Sequence, residues 1–251
     1  MRKVLLLLFS LLLIINLASA SEKGAILQMT NTLENSQTDP AWNYAENLGD
    51  GRGITFGCIG FCTGTYDGNI LVKYYTKLNT NNVLAKYIFA LNKIDAGRHN
   101  AAEGDGNPSV AGLNGFIKDV QNNRDPLFKT AQLYELDQLY YNPAVKMTSD
   151  IGAKNALTLA FIYDMSVRHG ADGALSLIKK AGKTPKQGVD ENTFLSKLIS
   201  VRDSALRRED DSDRDVGFKK LLATGNVNLN TPFAFVAYGD KFTITGEINL
   251  S

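Results

Sequence analysis

Residues 34–67 read ENSQTDPAWNYAENLGDGRGITFGCIGFCTGTYD, a stretch that sets carboxylates among turn-forming residues. Glu34 ends an apolar-patterned segment, Asp50 stands in the run Gly49-Asp50-Gly51-Arg52-Gly53, and Asp67 follows a glycine-rich bend. Glycines tolerate positive φ and close backbone approach, so this turn can present the Asp50 side chain into a cleft instead of a core. Two carboxylates on separate elements can do acid and base chemistry on a glycosidic bond. Trp42 and Tyr44, between the acids, offer flat apolar surface to a sugar ring. Each acid also has an ordinary use: an Asp between glycines serves a turn, and a Glu closing an amphipathic run is a solvated helix residue. The combination is what points to chemistry.

Outward from this stretch the chain reads as mostly helical. Ala25, Ile26, Met29 and Leu33 recur at helical spacing, which predicts a first helix ending near Glu34, where Asn35 and Ser36 break it. Asp67 can cap a helix carrying Ile70, Leu71, Tyr74, Tyr75 and Leu78, a use that competes with ligand binding. Asn81 or Asn82 can cap the next helix, with Leu84, Tyr87, Ile88 and Leu91 on one face. From Asp95 to Gly115 the glycines, Pro108 and polar residues predict a long loop. Pro126 opens a helix with Leu127, Phe128, Ala131 and Tyr134. Residues 153–167 are apolar nearly all round and predict a buried central helix, inside which the charged Asp164 needs a partner. A further helix from about Asp190 to Arg208 carries Phe194, Leu195, Leu198, Ile199 and Leu206, and it puts Arg202 and Glu209 on one face if it continues that far. Past the turn at Gly225-Asn226, residues 233–248 alternate around Tyr238-Gly239-Asp240 like a short strand pair.

Length and composition suit one domain. The 251 residues are 44% apolar and 21% charged, ample for one sizeable core or for two lobes sharing a cleft. Arg2 and Lys3, the apolar run Val4 to Leu17 and then Ala18-Ser19-Ala20 form a charged region, a hydrophobic region and a small-x-small cleavage site, so residues 1–20 are expected to be a signal peptide and 21–251 a single secreted domain. The apolar run is shorter than the roughly 20 residues that span a bilayer. Loss of Arg2 and Lys3 takes the formal net charge from +1 to about −1, with no basic run and no repeated aromatic-basic pattern, which argues against nucleic acid as partner. A polycationic ligand would need clustered acids, and Glu46, Asp50, Asp67 and the run Glu209 to Asp215 are the candidates, although a charge run is ordinarily a solvated face.

Other chemistries find little support. His99 and His169 are the two histidines, and with no HExxH or paired-cysteine motif a catalytic zinc site lacks ligands. His169 before Gly170 reads as a helix-end residue. Asp211, Asp213 and Asp215 mimic the start of a calcium loop, but Gly217 and Leu222 stand at the wrong places for an EF-hand. No phosphate loop or GxSxG elbow is present. Cys58 and Cys62 would close a very short disulfide loop, so two buried free thiols are expected.

The chain resembles the chitosanases of glycoside hydrolase family 46. The resemblance is carried by Leu33-Glu34-Asn35, by Tyr44 to Thr55 and by Gly60 to Asp67, and continues in Leu84-Ala85-Lys86-Tyr87, Tyr141-Asn142-Pro143-Ala144-Val145, Tyr163-Asp164 with His169-Gly170, Thr184-Pro185 to Asp190-Glu191, Gly225-Asn226 with Asn230-Thr231-Pro232, and Tyr238-Gly239-Asp240. It implies a mainly α (α+β), lysozyme-like fold: two mostly helical lobes, a small β-sheet and a substrate cleft between them. It implies a secreted, extracellular, polysaccharide-degrading hydrolase that cuts β-1,4 links in chitosan from within, acting as a monomer without cofactor, metal or membrane. By resemblance Glu34 is the general acid, Asp50 the general base, and Thr55 holds the attacking water. Arg52, Asp67, Glu209 and Asp213 map to substrate binding, and Asp164, Arg202 and Arg214 to an ion network around the acid. A lysozyme-like hydrolase of chitin or peptidoglycan, and a sugar-binding protein without catalysis, are the alternatives. With no third carboxylate placed as a nucleophile, the two acids are expected about 6.5 to 9.5 Å apart with a water between them, the arrangement of an inverting enzyme.

Overall fold

The computed structural model describes residues 22–97, 106–207 and 211–248; the expected leader, His99 and Glu209 lie outside them. The apolar spacing of Ala25, Ile26, Met29 and Leu33 yields helix α1 (22–35), with those side chains buried and Glu34 exposed in its last turn. Ser36, at φ 52°, ends it. Then follow β1 (Ala45–Glu46), β2 (Thr55–Phe56), β3 (Phe61–Cys62), α2 (Asp67–Leu78), α3 (Ile88–Ala96), α4 (Phe116–Gln121), α5 (Pro126–Leu136), α6 (Asn142–Asp150), α7 (Ala156–Ala181), α8 (Glu191–Leu206), α9 (Val216–Thr224), β4 (Phe233–Ala237) and β5 (Asp240–Ile244). Two compact units share these elements, one taking residues 22–39 and 139–248, the other Pro40–Gln138. Among the described residues no helix is long and apolar enough to cross a membrane.

In the Pro40–Gln138 unit, β1, β2 and β3 form an antiparallel sheet that aligns Ala45 with Phe56 and Phe61, and Glu46 with Thr55 and Cys62. Because side chains alternate across a sheet, Phe56 and Phe61 face the core, where Phe116 meets Phe56 edge-on at 4.9 Å. Glu46, Thr55 and Cys62 make a row on the other face. The β1–β2 connection is the GDGRG turn. At Gly53, with φ 78°, a Cβ would come within 2.4 Å of Thr63 Oγ1, so only glycine fits there. That hydroxyl instead accepts from Ile54 N at 2.9 Å. The sheet is tied to α5 by Gln132, which is fully buried. Its Nε2 donates to Trp42 O at 3.1 Å, and its Oε1 accepts from Cys58 N at 2.8 Å. Trp42 is therefore a core residue at 8% exposure and not the sugar platform its position suggested, whereas Tyr44 is exposed. Asp125 caps α5 through Leu127 N, and Pro126 follows it in the first turn.

In the other unit, α7 is buried nearly all round over its first part, as its composition predicts. Gly170 leaves the helical region at φ 71°, ψ 166°, so His169 does stand at the end of a helical run, although the chain resumes helix as far as Ala181. Asp190 caps α8 by accepting from Thr193 N at 2.9 Å. The described helix ends at Leu206, and the expected face shared by Arg202 and Glu209 involves a residue outside the described ones. β4 and β5 form the expected hairpin, with Tyr238 and Gly239 at φ 49° and 91°, the positive pair that a two-residue turn needs. Both cysteines are buried thiols outside any disulfide.

Three helices, α4, α6 and α9, were not anticipated. α4 has 6 residues, too few for periodicity to show, and α6 opens on Asn142-Pro143, which reads as a break although proline suits a first helical turn. Asp95, read as the start of a loop, belongs to α3.

Replacing Gln132 by Ala strands the Cys58 N–H and the Trp42 carbonyl. At about 1 to 3 kcal/mol for each buried group left unpaired, the variant should lose roughly 2 to 6 kcal/mol. Chemical denaturation measures this, and an unchanged midpoint would show that water replaces the carboxamide at no cost.

Candidate active site

Glu34 terminates α1, and its carboxylate is met by a guanidinium from far along the chain. Arg214, in the 3-10 turn Ser212–Asp215 that precedes α9, donates from Nη2 to Glu34 Oε1. The same guanidinium bonds Asp164 on α7 through Nη2 at 2.8 Å and Nε at 3.1 Å. Arg202 on α8 reaches Asp164 from the other side at 2.5 Å. Arg202 Nε and Nη2 both bond Asp215 Oδ1, the former at 2.7 Å. The result is a line of alternating charge, Asp215, Arg202, Asp164, Arg214, Glu34, in which the first four are buried and the last is half exposed.

Burial raises the Asp164 carboxyl, but the Arg214 and Arg202 guanidiniums outweigh it and hold the group below the usual aspartate range. Its share of stability is thus present above the unfolded aspartate value of about 3.9 and is lost as pH falls through the lower folded value. At Asp215 burial dominates over the single Arg202, and the carboxyl is pushed up. Arg202 stacks on Phe161, its guanidinium carbon 4.0 Å from the ring centre, with Phe218 at 5.3 Å. Tyr238, in the β4–β5 turn, accepts from Arg214 Nη1 at 3.4 Å.

In the Pro40–Gln138 unit the GDGRG turn presents Asp50 to solvent as expected. Arg52 grips it in a fork, Nη2 and Nε donating to Asp50 Oδ2 at 2.6 and 3.0 Å, while the Arg52 N–H donates to Oδ1 at 3.1 Å. These hydrogen bonds from Arg52 lower the Asp50 carboxyl against a small opposing effect of burial. The resemblance puts Arg52 on substrate; here its partner is Asp50 itself. Thr55 is buried on β2 with its hydroxyl 3.4 Å from Cys62 Sγ.

Asp67 is the first residue of α2 but not its cap, since the cap position is Tyr66 and no side chain bonds the helix end. Its carboxylate instead fastens the preceding bend, Oδ1 accepting from Thr65 Oγ1 at 2.5 Å and Oδ2 from Cys62 N at 3.2 Å. Burial pushes it up.

The acidic run beyond α8 is not the uniform solvated face its composition suggests. Asp213 is exposed, but Asp211 pairs with Arg168, and Arg214 and Asp215 are buried. Asp215 is the functional residue that sequence reasoning missed. Its one signal, a place 13 residues from Arg202, is not a helical spacing and could not reveal the pair. Among the described residues no group of three or more histidine, cysteine or acidic side chains is gathered for a metal ion.

The sequence model of glycosyl hydrolase family 46 matches residues 28–233. The chain belongs to this family. A chitosanase from a Streptomyces species is 36% identical over 238 residues, covering 89% of this chain and 82% of that one, and a Bacillus subtilis chitosanase is 34% identical over 229 residues, covering 84% and 80%. Among solved structures, the Gynuella sunshinyii family 46 chitosanase in complex with chitotetraose is 28% identical with a TM-score of 0.77, over 89% of this chain and 97% of that one. A mutant Bacillus subtilis chitosanase complexed with 6 GlcN is 32% identical with a TM-score of 0.78, over 90% and 98%. The fold is the lysozyme-like one of these family 46 enzymes, mostly helical with a small sheet.

Asp164→Ala leaves Arg202 and Arg214 facing each other in the core with one anion fewer. Removing one partner of a buried pair costs roughly 3 to 5 kcal/mol. Calorimetry should show Tm falling by on the order of 10 °C in this family 46 enzyme; a Tm equal to that of the parent protein would mean that solvent reaches Asp164.

Proposed function

We propose that this family 46 chitosanase is a secreted, monomeric endo-hydrolase that cleaves β-1,4 links between glucosamine units of chitosan with inversion, Glu34 as general acid and Asp50 as general base. The observation that carries the reading is that each acid is held by its own arginine, Glu34 by Arg214 and Asp50 by Arg52. A side chain gripped at one oxygen presents the other in a fixed direction, which is what proton transfer in a transition state requires.

Arg214 engages Glu34 Oε1 and leaves Oε2 to carry the proton to the leaving glycosidic oxygen. The carboxylate then formed stays paired with the guanidinium. Asp50, kept ionised by Arg52, takes a proton from the water that attacks the anomeric carbon, and Thr55 holds that water. The side chain paired with Asp50 is a cation, Arg52, which suits a base better than a nucleophile that must form an ester. Tyr44 offers an exposed ring to the sugar, and Asp67, whose two oxygens also hold Thr65 and the Cys62 N–H, is the anion that the resemblance assigns to an ammonium. Export rests on the leader pattern of residues 1–20.

Reducing ends released from chitosan, chitin and peptidoglycan separate this reading from its rivals. Chitosan should be cut, and a preference for either of the others would reassign the substrate. Glu34→Gln and Asp50→Asn should each lower kcat by roughly 10²- to 10⁴-fold while the fold and chitosan binding persist. NMR at early times should show the α-anomer first from a β-linked oligomer; a β-anomer first would require double displacement and so a nucleophile.

Arg52→Leu should move the acid limb of kcat/KM upward, toward the ordinary aspartate value of about 3.9, because the cation that lowers Asp50 is gone. The profile is read in the acid range, where glucosamine amines stay protonated. A limb that does not move would assign it to a group other than Asp50.

A further inference from the structure

The face of the β1–β2–β3 sheet opposite the phenylalanines carries Thr55 directly across from Cys62. Their side chains touch, Oγ1 to Sγ at 3.4 Å, and either atom can be the donor. The surroundings decide which. Cys62 Sγ also lies 3.3 Å from the Gly60 carbonyl oxygen, which can only accept. A thiol has one proton, so when it is spent on Gly60 the sulfur is left as acceptor and the Thr55 O–H points to it.

That polarity has a chemical consequence. A threonine whose proton is engaged turns its oxygen lone pairs outward, so it receives a hydrogen bond from a water and leaves the water's own lone pair free for attack. Were the thiol to donate to Thr55, the threonine would donate to the water, engaging one of its two lone pairs and drawing electron density from the attacking oxygen. Burial raises the Cys62 thiol, so the sulfur keeps its proton at neutral pH and with it the bond to Gly60. The Thr55 methyl lies close to Gly60, where an added Cβ would stand 3.2 Å from Thr55 Cγ2, tighter than an ordinary contact. The backbone of Cys62 serves a second partner, its N–H donating to Asp67 Oδ2 at 3.2 Å.

We propose that Cys62 is a positioning residue for hydrolysis: with its thiol donating to Gly60, its sulfur fixes the rotamer and hydrogen-bond direction of the Thr55 hydroxyl, so that Thr55 accepts from the nucleophilic water. This rests on the role given to Thr55 above. It separates the two functions of Cys62, because a side-chain change disturbs Thr55 while the N–H still holds Asp67.

Cys62→Ala should therefore lower kcat on the order of 10-fold with KM nearly unchanged, the scale of one lost hydrogen bond. Cys62→Ser, which keeps a donor and an acceptor, should restore most of it. In a Thr55→Val background, Cys62→Ala should cost no further kcat, while any loss of Tm should be the same in both backgrounds. An equal fold-loss of kcat with and without the Thr55 hydroxyl would overturn the proposal, as would a serine variant no better than alanine. Three-bond couplings to Thr55 Cγ2 give its rotamer independently of catalysis: they should report one rotamer in the parent and averaging in Cys62→Ala. If Thr55→Val alone retains full kcat, the water-holding role of Thr55 falls; unchanged couplings in Cys62→Ala would defeat the positioning by Cys62 itself.

Discussion

A charge taken out of water must be paired, and in this protein that requirement organises the helices around α7. Asp164 sits in the most apolar helix of the chain, where an unmatched carboxylate would cost more than the helix gains by packing. It is tolerated because α8 brings Arg202 and the turn before α9 brings Arg214. Two cations and one anion leave one positive charge in excess, which buried Asp215 balances at one end, while Glu34 adds a further carboxylate at the other. Ion networks of this kind are a poor source of net stability compared with apolar packing of the same volume. Their value here is geometric: Glu34 closes a line of fixed charges, so the end of α1, which would otherwise fray, holds a carboxylate in one orientation.

The Pro40–Gln138 unit solves the opposite problem. Asp50 is exposed, on a turn rich in glycine, and its partner is a solvent-facing arginine instead of a buried lattice of charges. Its order comes from a short local fork, Arg52 closing back over two residues, with the end of the turn tied by the Ile54 N–H donating to Thr63 Oγ1. One acid is thus positioned by long-range burial and the other by local closure. Their electrostatic settings differ accordingly, the first joined to a deep ion chain and the second held below the ordinary range by a single solvent-facing arginine.

The sheet in that unit is only a few residues wide, yet it does much of the placing. Its core face of Phe56 and Phe61 fixes the register, and the register fixes which side chains line the other face. Thr55, Cys62 and Glu46 are neighbours for that reason alone. Gln132 anchors the sheet from α5 by satisfying two backbone groups that neither strand nor turn can pair, which is how such short strands persist in one place.

Much of this was written in local sequence. The 3.6-residue periodicity placed α1, α5, α7 and α8, the alternation about Tyr238-Gly239 placed the hairpin, and the glycines of GDGRG marked an exposed acid, because each of these depends on contacts within a few residues. An aspartate amid apolar residues announced that Asp164 must be paired, and resemblance named its arginines. What sequence could not supply were the partners across distance. Asp215 lies in a run of charges whose composition says solvent, while the fold buries it against Arg202; Trp42 is flat and flanked by acids, while α5 draws it into the core. Spacing encodes which face a residue occupies. It carries no information about what arrives at that face from elsewhere in the chain, and burial, pairing and the direction of a hydroxyl are settled only there.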